Sequence, residues 1–152
     1  MAVLNVLIEH RPERVWQVLS DGWAYAEWVA GTRNIRDVDE GWPEPGTRIH
    51  YTFGIGRWTL DDVTTVRVME PGRRLELEAQ ARRLGSARVS IELLGWGRDR
   101  TVVIIDEHPL TGPGARWHSV PLDAALRLRN RRMMRSLARV VDERAVSARS
   151  PA

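Results

Sequence analysis

The sequence contains no cysteine. That excludes disulfides, thiolate metal sites and cysteine nucleophiles, and it fits a reducing, cytoplasmic setting. Lysine is absent too, since all 23 basic residues are arginine. Schiff-base catalysis and a lysine-bearing phosphate loop are thereby ruled out. No apolar run approaches the roughly 20 residues a membrane span needs. The opening Met1-Ala2-Val3-Leu4-Asn5-Val6 carries no basic leader and reads directly as a strand. Phenylalanine occurs once and tyrosine twice, against seven tryptophans. These are scattered rather than repeated; the plain reading is core and rim packing, and the sharper one is that two or three of them wall a pocket.

What is present is ordinary for one globular domain of 152 residues, with 43% apolar and 28% charged residues. A net charge of +3 is too mild to argue for nucleic acid, because arginine's high pKa alone raises the isoelectric point. The expected domain is 1–145, followed by a flexible tail over 146–152.

The order of elements follows from periodicity. Residues 2–9 form a strand. Pro12 and Glu13 then start a helix with Val15, Trp16, Val18 and Leu19 on one face. Asp21 caps a second short helix carrying Trp23, Ala26 and Trp28, which Gly31 ends. Strands are predicted near 32–39, 47–54, 57–69, 73–80, 86–94 and 100–108, separated by Gly- and Pro-rich turns. Leu75, Leu77 and Ala79 alternate with Arg74, Glu76 and Glu78, the half-buried pattern of an antiparallel meander. A helix over about 119–144 presents Leu122, Leu126, Met133, Leu137 and Val140 on one face. The class is α+β.

Arg11-Pro12-Glu13-Arg14-Val15-Trp16, then Asp21 and Trp28-Val29, resemble the start of the SRPBCC group. That group includes START domains, plant allergens and polyketide cyclase/dehydrase-like proteins. Pro45-Gly46-Thr47, the turn Met69-Glu70-Pro71-Gly72-Arg73-Arg74-Leu75-Glu76-Leu77, and Arg127-Leu128-Arg129-Asn130 on the last helix look like bacterial members. The resemblance spans residues 3 to 144. It implies a helix-grip fold, a curved antiparallel sheet wrapped around a long C-terminal helix, with two short helices after the first strand and a cavity between sheet and helix. Lipid transport, polyketide cyclisation, hormone sensing and chaperone-cofactor roles all occur on this fold, and fold does not choose among them.

Asn130 is the most informative position, an amide set among Leu126, Met133 and Leu137. A buried amide must be hydrogen-bonded, either to nearby loop or strand backbone or to a ligand. Glu107 and His108 end the last strand, where a carboxylate can orient a ligand or act as a base. His50 and Tyr51 are adjacent on one strand, so only one of them faces inward. Trp117, in the loop 111–118, either closes over a pocket mouth or staples the helix start. The expected ligand-binding set is Trp28, His50, Tyr51, Phe53, Trp58, Glu107, Trp117, Asn130 and Met133, with no catalytic residue assigned. His10, His50, His108 and His118 are too far apart for a metal motif, and no cofactor is expected. Arg131 and Arg135 point to solvent, on a helix without base-stacking aromatics.

The leading expectation is a carrier or sensor for a small apolar or aromatic molecule, polyketide- or lipid-like. A polyketide cyclase or dehydratase is the alternative. An interaction protein using the sheet or the arginine face comes third. The expected partner is a small hydrophobic or aromatic molecule, with no nucleic acid and no membrane span, and with a homodimer left open.

Overall fold

The computed structural model describes residues 2–81, 85–111 and 120–149. The chain runs β1 (Ala2–Ile8), α1 (Pro12–Leu19), a 3-10 turn (Gly22–Ala24), α2 (Tyr25–Trp28), β2 (Thr32–Val38), β3 (Arg48–Ile55), β4 (Trp58–Glu70), β5 (Arg74–Ala81), β6 (Gly85–Trp96), β7 (Arg100–Pro109) and α3 (Val120–Arg149). The seven strands form one antiparallel sheet in the order β1-β7-β6-β5-β4-β3-β2. This is the α+β helix grip expected from the sequence.

Local chemistry accounts for the boundaries. Pro12 opens α1, where its missing N–H costs nothing. The Asp21 carboxylate accepts a bond from the Trp23 N–H and caps the 3-10 turn. Gly31 adopts a positive φ of 91°, and a methyl group there would run into the Phe53 ring. A glycine both turns the chain out of α2 and lets β3 approach. A register shift between Val66 and Val68 bends the long strand β4 and helps the sheet curve.

The inward rows sort by chemistry along the strands. At one end, Val66, Leu75, Leu77, Ile91, Leu93, Val103 and Ile105 are buried and make an aliphatic floor. Val15, Val18 and Leu19 of α1 join the same cluster, as do Met133, Met134, Leu137, Val140 and Val141 of α3. Residues 130, 133, 134, 137, 140 and 141 fall on one side of a 3.6-residue helix. Leu126 is half-buried, and Leu122 lies outside the residues whose side chains are described. The helix continues to Arg149, beyond the expected end near 144. Ala145 is buried, and the helical backbone runs on through 146–149, into the segment expected as the tail.

Candidate functional site

Toward the other end of the sheet the inward row changes character. Thr64 of β4 lies opposite Ile49 of β3 on one side and Ala79 of β5 on the other. Ala79 in turn pairs with Ala87 of β6. Tyr51 pairs with Asp62, and Glu107 pairs with Val89. Small and polar side chains thus stand where the floor elsewhere carries Leu and Ile. Asp62, Thr64 and Glu107 are all buried.

Three hydroxyls meet there. Thr64 Oγ1 donates to the Tyr51 hydroxyl at 3.2 Å. Its single proton being used, it accepts from the Tyr25 hydroxyl at 3.1 Å. The Tyr25 ring stacks edge-on against Trp28 at 5.6 Å and is tilted against Tyr51 at 5.3 Å. Burial pushes both phenols well above their ordinary value, and for Tyr51 the neighbouring Tyr25 adds to the rise. Both phenols therefore stay neutral.

An ion pair closes the helix side. Arg129 Nη1 on α3 donates to both Glu107 oxygens, at 3.2 and 3.3 Å. Its charge also reaches the Tyr25 hydroxyl, whose pKa it lowers slightly against the dominant effect of burial. The next residue, Asn130, has no solvent exposure. Neither its Oδ1 nor its Nδ2 has a hydrogen-bond partner among the described residues. The bond to loop or strand backbone that the sequence left open has no counterpart there. The hydroxyl trio and the ion pair find their partners within the chain, whereas the Asn130 amide finds none among the described residues.

The expected site residues divide accordingly. Trp28, Tyr51, Glu107, Asn130 and Met133 are buried between sheet and helices, and Phe53 is half-buried against the same cluster. His50 faces the outer side and bonds Asp39 at 3.2 Å, as strand alternation requires once Tyr51 points in. Trp58 opens β4 at the hairpin tip and is 81% exposed, so it lines nothing inside. Trp117 lies outside the described residues. Tyr25, Thr64 and Arg129 were not in the expected set. A Thr in phase with Val66 and Asp62 on a strand was the available signal for Thr64. Arg131 and Arg135 are exposed. An open groove of about 580 Å³ at the β6–β7 turn, bordered by Glu9, Trp96, Arg98 and Arg100, contains none of the expected residues. Among the described residues no cluster of metal-ligating side chains occurs, and no helix is long and apolar enough to cross a membrane.

No family model and no curated protein matches the sequence. Solved structures do match in shape. One is the Zhui aromatase/cyclase from Streptomyces sp. R1128, at 15% identity and TM-score 0.73, covering 99% of this chain and 98% of that one. Another is Ara h 8.0201, at 11% identity and TM-score 0.69, covering 93% and 96%. A third is DynU16, a protein of the dynemicin biosynthetic locus, at 20% identity and TM-score 0.68. The match covers 93% of this chain but only 46% of DynU16, so the chain spans just under half the length of that relative. At these identities the likeness is one of architecture, and the chain has the START-like helix-grip fold that its opening residues and last helix resemble.

Proposed function

We propose that this protein binds a small aromatic or polyketide-like molecule between the sheet and α3, as a carrier or sensor. The observation that carries the reading is Asn130, fully buried with both polar atoms unpartnered among the described residues. Burying an amide without partners costs roughly 1–3 kcal/mol, so such a group calls for a partner, and a bound ligand would supply one. Trp28, Tyr25 and Tyr51 form an aromatic group in the same core cluster as Met133 and Met134 of α3, a surface suited to rings. The aromatase/cyclase neighbour supplies a fold-level precedent for an aromatic ligand.

The test is a thermal-shift titration with hydroxylated polycyclic aromatics and, in parallel, medium-chain fatty acids. A molecule that binds only the folded state raises the melting temperature as its concentration rises. Saturable shifts with the aromatics support the reading, and no shift with either set overturns it.

A second reading, a cyclase or dehydratase, is favoured by one feature: two neutral phenols and the Arg129 cation gather in one region, and on turning from their partners within the chain toward a substrate they would serve as its donors. Such groups can stabilise an enolate oxygen while an intramolecular aldol condensation forms a carbon–carbon bond and releases water. Aromatic absorbance growing from a linear poly-β-carbonyl thioester, above the uncatalysed rate, decides for this reading. A bound but unchanged thioester decides for the carrier.

A further inference from the structure

The two edges of the sheet are built differently. β2, at one edge, carries Arg33, Arg36 and Asp37 and is broken by two register shifts against β3. Charges and bulges of this kind keep an edge from pairing with another strand. β1, at the other edge, has neither. Its sequence Ala-Val-Leu-Asn-Val-Leu-Ile holds no charge, no proline and no glycine, and it pairs with β7 without a break from Ala2 to Ile8. Its outward side chains Val3 and Leu7 are 59% and 45% exposed. Apolar surface continues inward on the outer face, because Leu7 sits opposite Val102 and Val102 opposite Leu94, which is itself exposed.

The order of residues in β1 suits one occupant, a second copy of the same strand. Place a two-fold axis at Asn5 and run the partner antiparallel. Val3 then faces the partner's Leu7 on the outer side, and Leu4 faces the partner's Val6 on the side toward α3. Asn5 meets its own copy at the axis, where two amides are mutually complementary donors and acceptors. Every cross-strand pair is apolar with apolar or amide with amide, and no like charges oppose. Such an isologous contact is closed by symmetry and leaves no further edge of this type to propagate. We infer that the protein forms a two-fold dimer through antiparallel pairing of β1 with β1, giving one continuous fourteen-stranded sheet.

Seven residues of strand edge bury less than the ~800 Å² per partner of a standard interface, so the dimer dissociates on dilution. Sedimentation velocity of the full chain over a dilution series from high to low micromolar concentration tests it. Wild type is expected to shift from dimer to monomer across that range. Val3→Lys/Leu7→Lys places lysines opposite one another twice and is expected to weaken the dimer at least tenfold. Val3→Lys/Leu7→Glu places opposite charges face to face in this register and is expected to restore it. Both substitutions sit on exposed positions, and circular dichroism with melting confirms that each variant folds. Wild type that stays monomeric throughout overturns the inference, and so does a dimer indifferent to the double lysine variant. A charge-swapped variant no tighter than the double lysine variant overturns the register and with it the two-fold arrangement.

Discussion

Replacing Asn130 by leucine separates a binding residue from a structural one, because the two roles predict opposite signs of stability change. Leucine has the same branched skeleton as asparagine but no polar atoms. The position has no solvent exposure, and neither amide atom has a partner among the described residues. Without ligand, Asn130→Leu therefore removes a desolvation penalty of roughly 1–3 kcal/mol and adds apolar contact with Met133, Met134 and Leu137 nearby on α3. Any overpacking subtracts from this gain. For a chain of this length 1 kcal/mol moves the melting temperature by about 2–4 °C, so a rise of about 2–12 °C is expected. Ligand affinity should move the other way. A lost hydrogen bond that leaves a ligand oxygen unpaired costs about 1.4 kcal/mol or more, a factor of ten. The assay is differential scanning calorimetry of the unliganded protein, paired with titration calorimetry against an aromatic hit. A variant destabilised by about 2 kcal/mol or more would refute the reasoning, since the amide would then be holding the fold together.

Other outcomes follow from the same region. Arg129→Met leaves Glu107 buried without its partner and should destabilise the protein by about 1–3 kcal/mol, below the figure for a fully buried pair because Arg129 is 33% exposed; adding Glu107→Gln should recover much of the loss in urea unfolding. Tyr25 and Tyr51 are held above their ordinary 10.0 by burial, so their contribution to stability is whole below about pH 10. It falls as pH rises toward the raised folded values, and Tyr51→Phe should flatten the decline by up to about 1.4 kcal/mol per pH unit. Arg131→Ala/Arg135→Ala should leave oligonucleotide binding as weak as in wild type at moderate salt, since charge without stacking rings gives only salt-sensitive association; micromolar binding that these changes abolish would reverse that ranking.

The architecture was legible because its signals are periodic. Alternation of apolar and polar residues on β5 and β6, and the turn glycines between strands, marked the meander. Val15, Val18 and Leu19 marked the face of α1. The helix face was legible for Met133, Leu137 and Val140, and Asn130 stood out because it breaks that face. The end of α3 was harder to read, since Ala145 burial is a tertiary contact and the local sequence after 144 has no stop signal before Pro151.

The site itself was only half legible, for a reason particular to sheets. A strand's sequence fixes which residues share a face but not which face turns inward, so His50 and Tyr51 are equivalent in sequence, and only the packing of Ile49, Tyr51 and Phe53 against the core separates them. Trp58 read as a pocket aromatic because ring size argues for burial, whereas a hairpin tip offers nothing to bury it against. Tyr25 is positioned by the turn that Asp21 caps and by pairing with Thr64, thirty-nine residues away; no spacing within the sequence encodes that contact. The polar end of the grip exists only through register. Thr64, Ala79 and Ala87 are unremarkable on their separate strands, and the ladder that sets them side by side is what replaces the aliphatic floor with small and hydroxyl-bearing groups. A chain of this fold can therefore acquire a new ligand preference by changing a few in-phase strand residues while every periodic signal of its architecture stays the same. The aliphatic end, where Ile91, Val103 and Leu137 are fully buried, has no such freedom, because each lost methylene there costs about 1 kcal/mol.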